Sequence, residues 1–361
     1  MIKKKDRIKS VIDQFLHKET YRIYDEINDL FREYIHEIKP LQAKLNGHTH
    51  FRTKEIEDKI LSLIEEDERV LLIRVSLGET IGMKAVYQKF EKVVLKALDD
   101  PIASIQQNTA GDNIGMLCAR YGCEELTLKA LENFEASTQQ NCDGDNIGMI
   151  CARHNYEELT LKALDNEKAS IQQNIHGYNI GMCAADHKLE KATLKALDNE
   201  VASIQINEKH RNIGIQAVLR EMEEPVLKAL DNAEASTYQD DWGYNLGMWA
   251  ARYEMESCVL KALDNKEASL QQDCFGFSIG MHAIKSGLVK ASLKAVENEE
   301  VRNKIDSFDE DCYELAIIHT KEEDLTNDPI IQALEEIQRK GNVEFEDDES
   351  NSVLELTRTL D

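Results

Sequence analysis

The chain has 361 residues, 42% of them apolar, and a formal net charge of −25. The apolar share is enough for a large core and argues against global disorder. The one-sided negative charge argues against nucleic acid and anionic membranes as partners. Residues 1–75 hold 15 basic and 15 acidic side chains, so the whole excess lies beyond residue 75. No apolar run approaches the roughly 18 residues of a membrane-spanning helix, so no membrane insertion is expected.

The start, Met1-Ile2-Lys3-Lys4-Lys5, is followed by Asp6, Arg7 and Lys9 where a secretory apolar stretch would begin, which is not a signal peptide. Residues 6–45 read as one or two amphipathic helices, with Ile23, Ile27, Leu30, Phe31, Tyr34, Ile38, Leu41 and Leu45 at three/four spacing. A further helix is predicted from Thr53 to Glu66, with Ile56, Ile60, Leu61 and Ile64 on one face. Two readings of residues 1–75 stay open. They form an N-terminal cap over a repeat array, or a small helical functional or enzymatic domain that the repeats target.

From residue 76 the text repeats. Gly-Met recurs at Gly82, Gly115, Gly148, Gly181, Gly247 and Gly280, with Gly214-Ile215 filling the gap, always 33 residues apart. Leu-Lys-Ala-Leu starts at Leu95, Leu128, Leu161, Leu194, Leu227 and Leu260 in the same period, with a variant at Leu293. Two markers keeping one period over seven units identify a repeat protein. Within a unit, Asn113, Asn146, Asn179, Asn212 and Asn245, with Thr80 and Ser278, stand where an N-cap precedes a short apolar helix. Glu124-Glu125 and their equivalents open a second helix, their charge suited to its positive end; Pro225 falls at this start. That helix is expected to end near Asp-Asn, and an extended stretch leads to the next glycine. The glycine inside every first helix costs about 1 kcal/mol relative to alanine, so neighbouring backbones are expected to approach closely there.

A unit of two helices and a projecting turn resembles the ankyrin repeat. Asn108-Thr109-Ala110-Gly111-Asp112-Asn113-Ile114-Gly115-Met116-Leu117-Cys118-Ala119 lies along that family's motif without a gap. The resemblance covers residues 76–340, seven clear units and a worn eighth. It implies an all-α, ankyrin-type helical repeat solenoid with an N-terminal helical cap. The family's Thr-Pro-Leu-His has become Asn-Ile-Gly-Met, and one extra residue separates the helices, so the turn geometry is expected to differ. Residues 341–361 form an acidic tail, read as disordered. Its glutamate patch before a short apolar and polar end also resembles C-terminal signals of type IV secretion. Ankyrin-repeat effectors of intracellular bacteria leave the cell that way. The expected location is therefore the cytoplasm, or a host cytoplasm reached without an N-terminal signal.

Ankyrin repeats hold partner proteins by their turn tips and the exposed end of the first helix. Carried over, this marks Trp242, Tyr244, Trp249, Arg252 and Tyr253 in one unit, Phe275 and Phe277 in the next, and His176 and Tyr178 earlier. Both tryptophans fall in one unit, and Trp, Tyr and Arg dominate binding hot spots. The rings equally fit sideways packing onto the adjacent repeat. Arg120, Arg153 and Arg252 share one column, either as a basic ladder for an acidic partner or as partners of nearby acids and helix carbonyls. Lys209, His210 and Arg211 replace one turn, and pairing with Asp240 and Asp241 is expected.

No phosphate loop, nucleophile elbow or zinc-protease helix motif occurs, and His48-Thr49-His50 lacks the strand and further ligands of a metal hydrolase. No catalytic residue, metal site or cofactor is predicted. The eight cysteines form no Cys-x-x-Cys pair; Cys118 and Cys151 share a column with Ala184, Ala217 and Ala250 and read as small buried apolar residues. The expected function is protein–protein binding, the partner a protein and, for an effector, a host protein.

Overall fold

The computed structural model describes residues 2–39, 50–74, 76–308, 310–319, 328–337 and 339. The acidic tail and His48 lie outside the described residues. Among the described residues every regular element is a helix, and no helix is long and apolar enough to cross a membrane. The chain divides into two compact units, residues 1–180 and 181–361.

In the first unit a single helix, Ile2–Glu33, runs into a wider π turn, Tyr34–Ile38, and a second helix spans His50–Glu66. Their apolar faces bury Ile23, Ile27, Leu30, Phe31 and Tyr34, and Ile56, Ile60, Leu63 and Ile64; Leu61, expected inside, is half-buried. These faces close over the first repeat. Phe90, fully buried ahead of helix Glu91–Asp99, stacks on Phe31 at 5.6 Å and meets the edge of Tyr34 at 4.8 Å. Lys84 reaches Asn28 (2.7 Å) and Lys92 reaches Asp58 (2.7 Å).

Each repeat begins with the helix its cap predicts. The Asn113 side chain accepts the Met116 N–H at 2.9 Å, opening Ile114–Arg120, and Thr80, Asn146, Asn212, Asn245 and Ser278 do the same. The second helix, such as Glu124–Leu131, packs against the first, and within each unit first helices stack on first helices and second on second. One contact explains both sequence markers. A Cβ on Gly115 would sit 2.6 Å from Ala130 Cβ and 2.6 Å from Ile147 Cδ1. The glycine is therefore a notch, floored by the alanine of Leu-Lys-Ala-Leu and filled by the isoleucine that starts the next repeat. Gly148 takes Ile180 over Ala163, and Gly181 takes Ile213 over Ala196. The close approach is thus of side chains, not of backbones as expected. Burying each isoleucine contributes about 2 kcal/mol, which exceeds the helix penalty of the glycine.

One feature departs from the sequence reading, and one expected difference takes a definite form. The stretch expected to be extended holds a short third helix, such as Phe134–Thr138, Glu200–Ile204 or Lys266–Leu270. Its start is capped by the Asn of Asp-Asn or Glu-Asn: Asn133 accepts from Glu135 and Ala136, while its Nδ2 donates to Ser104 Oγ of the preceding repeat at 3.1 Å. Asn232 and Asn265 repeat that link to Ser203 and Ser236 in the second unit. The extra residue between the first two helices is left-handed, with φ 57° at Glu221 and 56° at Glu254, reversing the chain in one step.

All eight cysteines are free, and Cys118, Cys151, Cys183, Cys258 and Cys312 are buried. Burial pushes the thiols of Cys151, Cys258 and Cys312 up to about 12, as expected for packing residues without thiolate chemistry.

Candidate functional site

Between repeats, every turn is built on one cage. The residue opening the turn places a side-chain oxygen under two backbone N–H groups. Asn141 accepts from Asp143 (3.0 Å) and Asp145 (2.9 Å), and Asp273 from Phe275 (2.8 Å) and Phe277 (2.9 Å). Asn108, Asn174, Asn207, Asp240 and Asp306 hold their turns identically. A left-handed residue completes the bend: Gly111 and Gly144 (φ 77° and 76°), with His210 taking the same conformation at φ 54°. A glutamine just before the cage ties one turn to the next, as Gln107 Nε2 does to Gly111 O (2.6 Å) and Gln140 O (2.9 Å). Adjacent tips are joined by single backbone bonds, Cys142 N–H to Ala110 O and Cys274 N–H to Trp242 O, both 2.9 Å. Backbone and cage are constant; the tip side chains are not.

In the first unit the polar groups beneath the tips pair with each other. Asp145, fully buried, accepts from Arg153 and from Asn174 Nδ2 (2.9 Å), and Asp112 accepts from Arg120 and Asn141 Nδ2 (2.9 Å). Two of the three column arginines are thereby engaged with turn aspartates, the second of the two readings given above. His176 is exposed at a tip and Tyr178 is half-buried.

In the second unit aromatic side chains take over that space. Tyr244 and Phe277, expected on the turn surface, are buried, because alternate turn residues point inward and no aspartate occupies their position. Tyr244 lies 5.3 Å from the Trp249 ring and 5.0 Å from the His282 ring, and Phe277 lies 5.6 Å from His282. Trp249 is half-buried and donates from Nε1 to Asp240 Oδ2 at 2.9 Å; His282 Nε2 meets Asp273 Oδ2 at 2.8 Å. Tyr253 is half-buried against Trp249 at 6.2 Å, and the Arg252 guanidinium lies over Tyr244 and Trp249 at 5.9 and 5.8 Å. Of these contacts, Tyr244 on His282 crosses from one repeat to the next, and the others pack within a repeat. Burial raises the Tyr244 phenol, aided by Asp273. Burial also pushes the Asp273 carboxyl up, but His282 and the N–H groups of Phe277 and Phe275 together outweigh it and hold it below its ordinary value.

What stays open at the tips is narrower than the sequence suggested. Trp242 is 62% exposed and Phe275 46%, and the structure adds a third ring of the same column, Phe308, at 69%. Phe308 stands 33 residues beyond Phe275, a spacing that signals it even in the worn unit. Of the pairing expected for the replaced turn, the structure shows one contact, His210 at 3.4 Å from Asp241; Asp240 is taken up by its own turn and Trp249, and Arg220 pairs with Asp186.

Among the described residues no group of three or more His, Cys, Asp or Glu side chains is placed to hold a metal ion. A cleft of about 480 Å³ between the first helix and the first repeat is lined by Asp25 and Glu79 against Arg32 and Lys84, so its charges balance; Lys84 is already bonded to Tyr24 and Asn28. The sequence matches no protein-family profile and no curated protein.

Proposed function

We propose that the chain is a protein-binding scaffold of the ankyrin type, gripping a partner protein along its turn tips and performing no reaction of its own. The observation that carries this reading is the division of labour in the turns. A fixed cage presents tip pairs that change from turn to turn: Thr109-Ala110, Cys142-Asp143, Ile175-His176, Lys209 with Glu208, Asp241-Trp242, Cys274-Phe275 and Ser307-Phe308. Variable side chains on a rigid, repeated backbone suit recognition, since little conformational freedom is lost on binding.

The 33-residue period, the capped first helix and the glycine turn support the ankyrin assignment. The short third helix and the Asn-Ile-Gly-Met string mark it as a divergent form. The contacts of Phe31, Tyr34 and Asp58 with the first repeat favour the cap reading of the N-terminal helices over a separately acting domain.

The test is site-specific photo-crosslinking of the full chain in lysate of its native cell. A crosslinker at position 176, 242 or 275 is expected to yield a discrete protein adduct, and one at exposed Leu128 on a second helix is not. Adducts from position 128 alone, or from none of the tips, refute the reading.

A further inference from the structure

We propose that Trp242, Phe275 and Phe308 form a docking strip for an extended, basic peptide segment of the partner. This rests on the scaffold reading above and adds the place and the chemistry. The three rings occupy one column of three consecutive turns, 33 residues apart, and all are well exposed. None takes part in a ring–ring or cation–π contact among the described residues, whereas the inward rings Tyr244, Trp249 and Phe277 all do. Their backbones are fixed: each N–H is held by the cage carboxylate, at 2.9, 2.8 and 2.7 Å, and Trp242 O and Phe275 O accept the next tip's N–H at 2.9 Å. The strip is therefore preorganised and repeats along a line, which matches an extended segment rather than a compact ligand.

Charge selects the occupant. The described residues of the turn segments 239–244, 272–277 and 305–310 include Asp240, Asp241, Asp273, Asp306 and Glu310 and no lysine or arginine. Among the described residues Asp241 makes one ion-pair contact, with the His210 imidazole, and Asp306 keeps a buried carboxylate oxygen with no hydrogen-bond partner. A ring face set among carboxylates attracts a guanidinium or ammonium twice, through the ring quadrupole and through the net charge, and accepts the aliphatic stem of the same side chain. The same field repels a second copy of this chain at −25, and anionic lipid.

The full chain should be panned against a phage library of random dodecapeptides, and the selected peptides measured by fluorescence anisotropy. Peptides rich in lysine or arginine with interspersed apolar residues are expected, with binding that weakens as salt rises. Trp242→Ala/Phe275→Ala/Phe308→Ala should weaken them at least about tenfold. The charge variant Asp241→Lys/Glu310→Lys should weaken them as well, with Leu128→Ala, at an exposed position on a second helix, unchanged; circular dichroism checks that each variant keeps its helices. Acidic or uncharged consensus peptides, no enrichment, or binding that survives both multiple variants overturns the proposal. If the peptides are lost with His176→Ala instead, the strip is wrong while the scaffold reading stands. Binding of phosphatidylserine vesicles through the three rings, without peptide selection, also overturns it.

Discussion

The turns of the two compact units share one backbone and differ in what lies beneath it. In the first unit the cage is opened by Asn, whose spare amide donates to the aspartate closing the preceding turn, and that aspartate also takes an arginine from the first helix. In the second unit Asn207 still opens one turn, its Nδ2 without a hydrogen-bond partner among the described residues, but Asp240 and Asp273 open the next two, and their spare oxygen takes a ring nitrogen from Trp249 or His282, nine residues on. Asn and Asp have nearly the same shape, and a cage oxygen serves equally well from either. The choice between them fixes whether the next partner must be an acceptor or a donor, and so whether the layer below is ionic or aromatic. Where neither rule is met an orphan remains: Asp306 has Leu315 nine residues on and keeps an unpartnered buried oxygen.

The largest effect is expected from removing the aromatic layer. Tyr244→Ala vacates a buried ring between Trp249 and His282 and should cost about 4 kcal/mol in urea unfolding. A loss below about 1 kcal/mol would mean the layer does not hold these repeats together. Next, Asn141→Asp tests whether the two cages interchange. It sets a carboxylate against Asp112, where Nδ2 now donates at 2.9 Å, and leaves Ile150 where a donor is needed. About 3 kcal/mol should be lost at neutral pH, and part regained in acid as the two carboxylates share a proton; a neutral outcome would break the rule.

A third prediction follows from Asp273. Its folded carboxyl titrates below the ordinary 3.8, so its contribution is complete above that value and is lost as pH falls through the folded value. Unfolding free energy should decline over this acid range in the native chain, and less so in Asp273→Asn, which itself is weakened at neutral pH by losing the His282 contact. Equal acid slopes for the two proteins would remove Asp273 as the cause. The smallest effect concerns the left-handed link. Glu254→Gly should stabilise by about 1 kcal/mol, because glycine adopts φ 56° without the Cβ clash. A loss on that substitution would show that the Glu254 side chain contributes more than the strain it carries.

Much of this fold is legible in the residues because it is local or strictly periodic. The Asn caps announce the first helices, and paired glutamates announce the second. Gly115 and Ala130 recur because one isoleucine must fit against both in every repeat. The third helix is not legible in the sequence for a reason of length: Phe134–Thr138 is too short to show a helical period, and only Asn133 at its start marks it. The candidate surface was half legible. Trp242 and Phe275 are placed at the tips by their register, and the same register marks Phe308, although its unit has lost the Gly-Met string.

By itself the sequence determined the period, the helical class, the capping and the column each aromatic occupies, since these depend on backbone chemistry that every repeat must satisfy. Only the tertiary structure decided which aromatics face inward. A single glycine separates Trp242 from Tyr244, and Phe275 from Phe277; the same turn exposes the first of each pair and buries the second. Tyr244 packs on Trp249 of its own repeat and on His282 of the next, and Phe277 on His282 of its own, so the burial of each depends on packing that the turn residues alone do not spell out.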